Sequence, residues 1–103
     1  MRFAQIIDME TERMDEVRAL LEERRAQMSG RAGGPTGRAV LRDRSNPDRY
    51  LMIVEFDSPE EAMRNSQDPE VSTMAERIGA LCTRPTVFTD CDLLDRVDLR
   101  QSV

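Results

Sequence analysis

Histidine, lysine and tryptophan are all missing from these 103 residues, and each absence removes a class of chemistry. Without histidine the chain lacks the commonest metal ligand and the commonest general acid–base. Without lysine there is no Schiff base, no anchor for pyridoxal phosphate and no phosphate-loop lysine. Neither a metal nor a cofactor is expected. Cys82 and Cys91 are the two cysteines, too few for a disulfide framework and not at CxxC spacing. Small apolar packing is the usual role for such cysteines, with a redox pair as the alternative. No run approaches the ~20 apolar residues needed to cross a bilayer. Met1-Arg2-Phe3 leads straight into a strand-like run rather than a signal peptide, so the expected setting is the cytoplasm.

Charge is plentiful. It makes up 34% of the residues, with a net value of −5, and it is unevenly spread. Residues 24–49 hold seven arginines against Asp43 and Asp48, while the chain on either side is acidic. The acidic total argues against nucleic acid as a partner. The basic middle either meets an acidic ligand or pairs with its own acidic flanks.

The length suits one domain, expected over residues 1–94 with a polar tail over 95–103. A chain this small buries only about two thirds of its unfolded surface. With 39% hydrophobic residues, a second copy covering one sheet face would help, and a homodimer is expected.

Arg2 to Asp8 reads as a first strand with Phe3, Gln5 and Ile7 on one face. Thr11 is the expected N-cap of a first helix, with Glu12, Asp15 and Glu16 near the positive end of its dipole. Met14, Val17, Leu20, Leu21 and Met28 give that helix an apolar stripe. Gly30 stops it, and residues 29–35 form a Gly-rich loop. Gly33-Gly34 beside Arg31 hints at an anion cradle but lacks the GK[ST] ending, so a plain connection is the simpler account.

Thr36–Arg44 and Arg49–Phe56 read as a hairpin around Ser45-Asn46-Pro47-Asp48. Those four as the loop would pair Leu41 with Met52 and Ala39 with Val54 on an apolar face for the helices. Arg38 would then meet Glu55, Val40 meet Ile53 and Arg42 meet Leu51 on a second, half-apolar face. Ser58-Pro59-Glu60-Glu61 is a capping box with proline at the first helical position. That helix stops near Asn65-Ser66, and Asp68-Pro69 opens another carrying Val71, Met74, Ala75, Ile78, Leu81 and Cys82 at helical spacing. Pro85 ends it, and Thr86–Leu94 is the last strand. The fold class is α+β: ferredoxin-like βαββαβ, an antiparallel four-stranded sheet with helices on one face and the second helix split.

Two families share that order. RNA-recognition motifs stack bases on third-strand aromatics, but the corresponding positions here are Leu51 and Ile53. The better match covers nearly the whole chain. The short first strand, the split helix of Ser58–Ser66 followed by Asp68-Pro69-Glu70, and the closing Pro85-Thr86-Val87-Phe88 resemble the dimeric α+β barrel superfamily. The resemblance is to small proteins like the antibiotic biosynthesis monooxygenases. It implies two sheets packed face to face, helices outside, and a pocket between sheet and helices in each subunit. In several members it implies cofactor-free oxygenation of polycyclic phenols. The haem-degrading relatives imply a histidine and a tryptophan, which are absent. Of the asparagine, tryptophan and arginine implied by quinone-forming relatives, Asn65 is the counterpart found here.

The candidate ligand-binding residues are Asn65, Tyr50, Met52, Met63 and Met74. Met52 joins Leu41 and Val54 in the expected floor, and Met63 and Met74 lie in the expected wall. The plain alternative for the methionines is adaptable core filling. Asn65 holds a substrate oxygen or simply ends a helix. Tyr50 donates to a ligand at the pocket mouth or packs at the strand edge beside Asp43. A cofactor-independent monooxygenase acting on an aromatic metabolite is one reading. A non-catalytic dimeric ligand- or protein-binding module is the other.

Overall fold

In a computed structural model describing residues 1–28 and 33–100, seven elements follow one another along the chain. They are β1 (Arg2–Glu10), α1 (Met14–Met28), β2 (Gly37–Arg42), β3 (Arg49–Phe56), α2 (Pro59–Ser66), α3 (Pro69–Gly79) and β4 (Val87–Leu93). The strands form one sheet in the order β2-β3-β1-β4, every neighbour antiparallel. This is the ferredoxin-like arrangement expected, with the second helix divided into α2 and α3. The expected helix stop at Gly30 and the cradle residue Arg31 lie outside the described residues.

Local chemistry explains the helix starts. Ser58 Oγ accepts from the Glu61 N–H at 3.2 Å, with Pro59 as the first residue of α2. Asp68 Oδ1 accepts from the Glu70 N–H at 2.9 Å, with Pro69 as the first residue of α3. Each cap satisfies a donor that the helix itself leaves unpaired.

Thr11 is a different case, because it does not cap α1. The Val17 N–H reaches the Arg13 carbonyl at 3.2 Å, so Arg13 is the residue that opens the helix. Thr11 is instead buried, at 1% exposure, and ties three segments together. Its N–H donates to the Asp48 carbonyl (2.9 Å), and its hydroxyl donates to the Leu81 carbonyl (2.6 Å) while accepting from the Arg13 N–H (2.9 Å). The hydroxyl's own proton goes to a carbonyl seventy residues away, which local capping rules do not see.

The core lies between the sheet and the helices. Met9 and Met52 from the sheet meet Val17 and Leu21 of α1 and Ile78 of α3. Burying one side chain of this size contributes about 1.5–3 kcal/mol. Ile7, Val54 and Met74 pack against the same cluster, so odd-numbered β1 residues and even-numbered β3 residues share the helix side.

The β2–β3 hairpin differs from expectation by one residue. Arg38 stands opposite Val54, Ala39 opposite Ile53, Val40 opposite Met52 and Leu41 opposite Leu51. The cause is in the turn. The Arg49 N–H donates to the Asn46 carbonyl at 2.9 Å, and the Asp43 N–H to the Arg49 carbonyl at 3.0 Å. The tetrad is therefore Asn46-Pro47-Asp48-Arg49, which places proline at its favoured second position. Side-chain turns made by Asp43 on the Ser45 N–H and by Asn46 on the Asp48 N–H absorb the extra loop residue.

A one-residue slip sends every side chain of a strand to the other face. Arg38, Val40 and Arg42 therefore point to the helix side, and Ala39 and Leu41 to the opposite one. Leu41 leaves the expected pocket floor. The face away from the helices becomes the more continuous apolar surface, with Ile6, Ala39, Leu41, Leu51, Ile53 and Val87. Leu41 is 46% and Val87 53% exposed.

Candidate functional site

The helix side of the sheet does not close completely against the helices. A cavity of about 970 Å³ remains between them. Its floor is Ile7, Met9, Met52 and Val54, and its far wall is Leu21, Met74 and Ile78. These positions follow from alternation along β1 and β3 and from helical spacing along α1 and α3.

Asn65 lines this cavity at the C-terminal end of α2. It is half-buried. Its backbone carbonyl accepts from the Asp68 N–H at 3.2 Å, which forms the break between α2 and α3. Its side-chain amide makes no hydrogen bond with a described residue, which leaves one donor group and one acceptor oxygen for a ligand. Gly34, at φ +77°, passes close by: a Cβ there would lie 4.0 Å from Asn65 Oδ1 and 3.5 Å from Met28 Cε. Glycine permits this left-handed turn without steric cost.

Met52 and Met74 also line the cavity, one in the floor and one in the wall. Met63 and Tyr50 do not. Met63 is 63% exposed on α2, and Tyr50 packs beside the core cluster, opposite Arg42.

The charged lining comes from Arg24, Arg25 and Arg38 of the basic middle, none of which was singled out as a site residue. Arg38 reaches from β2 to α1, where its Nη2 donates to Glu22 Oε1 at 3.1 Å. Arg25 Nη1 donates to the other oxygen of the same carboxylate at 3.3 Å. Arg38 first, and Arg25 second, hold the Glu22 carboxyl below its ordinary pKa. Arg24 is committed elsewhere, with Nη1 on Glu70 Oε2 at 2.6 Å and Nη2 on Asp68 Oδ2 at 3.1 Å. That pairing anchors the start of α3 to α1 and places carboxylates at a helix N-terminus, where the dipole favours them. On the opposite edge, Gln5 Nε2 donates to Asp90 Oδ1 at 3.0 Å.

The turn chemistry was the signal for Arg38, since Asn46 before Pro47 fixes the hairpin register. No comparable local signal marks Arg24, or the pairing of Glu22 with Arg38, because those partners lie on other elements.

A second polar cluster sits on the other face of the sheet. Arg49 grips both oxygens of Asp8 (3.2 and 2.9 Å) and reaches Asp43 at 3.0 Å, while Arg84 adds 2.6 Å to Asp8. Arg49, then Arg84, hold the Asp8 carboxyl below its ordinary pKa. The cysteines lie apart: Cys82 packs beside the helix-side core, and Cys91 pairs with Ala4 and faces the other way. Among the described residues no group of histidine, cysteine, aspartate and glutamate is arranged to hold a metal ion, and no helix is long and apolar enough to cross a membrane.

An open, apolar pocket between a four-stranded antiparallel sheet and its helices defines the class: a ferredoxin-like α+β protein with an internal small-molecule-sized cavity. Among solved structures this chain has the fold of the antibiotic biosynthesis monooxygenase-like proteins. SnoaB, a cofactor-independent oxygenase from Streptomyces nogalater solved as an asparagine-to-alanine mutant, superposes with a TM-score of 0.74 at 16% identity, covering 97% of this chain and 98% of that one. Rv0793 from Mycobacterium tuberculosis gives 0.73 at 17% identity, covering 95% and 100%. A protein from Caulobacter crescentus assigned as an antibiotic biosynthesis monooxygenase gives 0.76 at 9% identity, covering 91% of each chain. At such identities the likeness is one of fold. No family model matches the sequence, and no curated protein does.

Proposed function

We propose that this chain is a small-molecule-binding homodimer that oxygenates an aromatic metabolite without a cofactor. The observation that carries the reading is the 970 Å³ cavity with the Asn65 amide unpaired in its wall. An amide both donates and accepts, so it can hold a phenolic or carbonyl oxygen and stabilise charge developing there without a metal. The apolar floor suits a ring system, and apolar pockets with few polar groups are the usual form of such sites. The cofactor-independent oxygenase from Streptomyces nogalater shares the fold, which supports oxygenation as chemistry this scaffold can host.

A reaction of this kind draws its electrons from the substrate. In a hydroxyanthrone, the ring CH₂ becomes C=O with one atom of O₂, and the other atom leaves with the two hydrogens as water. The second subunit is expected on the apolar sheet face, since exposed apolar patches of this kind mark interaction surfaces. Face-to-face sheets would cover Leu41, Leu51 and Ile53 and leave both pockets on the outer, helix sides.

Oxygen uptake with a hydroxyanthrone tests the reading. Consumption faster than the uncatalysed rate, lost in Asn65→Ala, supports the oxygenase. Saturable binding with no added oxygen uptake would instead favour the non-catalytic binding module. That second reading has its own support, because the cavity lining holds no histidine, lysine or unpaired carboxylate to take a proton.

A further inference from the structure

Of the two pocket cations that share Glu22, Arg38 is the more enclosed, its side chain 30% exposed against 76% for Arg25. Its guanidinium carries five N–H donors, and the single contact made by any of them is the one to Glu22 Oε1. Glu22 is shared with Arg25, so two cations at the β2 side of the cavity have one carboxylate between them. Arg24, the remaining cation in the lining, is already met by Asp68 and Glu70. The cavity therefore has a surplus of positive charge along one edge. Toward β4 the lining is Gln5, Thr86 and Phe88, all uncharged. Three strand spacings separate β2 from β4, about 14 Å, so the pocket is cationic at one end and uncharged at the other.

We propose that the pocket's ligand carries one anionic oxygen group, a carboxylate or a phenolate, on an apolar body, and that Arg38 receives it at the β2 edge. This rests on the cavity being a small-molecule site, as argued above, and adds the charge and orientation of what enters. Arg38 meets Glu22 through one N–H, whereas a ligand carboxylate can take the open fork with two parallel bonds and a phenolate oxygen can accept from two of its N–H groups. Glu22 keeps Arg25 when that happens, so no carboxylate is left unpaired. The apolar body then lies over Met52 and Val54, and Val54 is the cross-strand neighbour of Arg38.

Calorimetric titration with naphthoate, an ionised nitronaphtholate and neutral naphthamide tests the assignment on the full chain. The expected result is that at least one of the two anions binds roughly tenfold or more tightly than naphthamide; which anion leads tells carboxylate from phenolate. Arg38→Met removes the preference and leaves naphthamide affinity unchanged, while Arg38→Lys, which keeps charge but loses the fork, retains part of it. Glu22→Gln leaves the preference in place or raises it, because a competing carboxylate is gone. Equal affinity for all three probes, or a preference that survives in folded Arg38→Met, overturns the proposal. Failure of every probe to bind overturns the small-molecule reading of the cavity along with it.

Discussion

Arg38 lies directly opposite Val54 in the β2–β3 ladder, and its guanidinium leaves the sheet on the helix side to reach Glu22 on α1. That placement joins the edge strand to the first helix across the mouth of the pocket. It also puts Ala39 and Leu41 on the other face, beside Ile53 and Leu51. One register therefore sets both the charge of the pocket and the apolar character of the opposite surface.

The apolar face leads to a prediction about assembly. The chain is expected to sediment as a dimer, and Leu51→Asp to sediment as a monomer, since a charge in the middle of a buried sheet face is left without a partner. A single-chain mass for the unaltered protein at micromolar concentration would remove the dimer.

Asn65→Ala separates function from folding. Losing an amide contact to a bound oxygen costs about 1–3 kcal/mol, or roughly fivefold to 150-fold in affinity. The amide pairs with nothing in the described structure, so the melting temperature is expected to stay near its original value. Unchanged ligand affinity with a lower melting temperature would mean that Asn65 serves only the break between α2 and α3.

Thr11→Val tests the buried knot. The substitution keeps the shape and deletes the hydroxyl, leaving the Leu81 carbonyl and the Arg13 N–H without their partner. A loss of about 1–3 kcal/mol is expected in urea unfolding, larger than most surface substitutions give. A change within experimental error would show that water replaces the hydroxyl at no cost.

Acid sensitivity follows from Asp8. Its carboxyl is held below the ordinary value of about 3.9 by Arg49 and Arg84, so it binds a proton more readily unfolded than folded. Its contribution to stability is present above that ordinary value and is lost as pH falls through the lowered one. Asp8→Asn is expected to lower stability at neutral pH and to flatten the fall that sets in below about pH 4. Parallel acid-unfolding curves for the two proteins would assign that limb to other carboxylates.

Much of the fold was legible because its signals are local. Ser58-Pro59 and Asp68-Pro69 cap their helices through atoms two or three residues away, so the chain needs no tertiary contact to start α2 and α3 there. The Met14, Val17 and Leu21 stripe and the alternation in Arg49–Phe56 likewise carry their own direction, since side-chain period follows from backbone geometry alone. The placing of Asn65, Met52 and Met74 at one cavity followed from those elements.

What tertiary structure decided was which groups meet. Thr11 has a hydroxyl suited to capping, yet it is drawn to Leu81, seventy residues away. A single-residue choice in the turn after Arg42 turned Arg38 from an expected partner of Glu55 into a neighbour of Glu22 and the pocket. Strand registers differing by one residue leave nearly the same strand propensities, so the two strand segments alone hardly separate them. Pairing against β3 does, because only one register completes the Asn46–Arg49 turn and lays Ala39 and Leu41 beside Ile53 and Leu51.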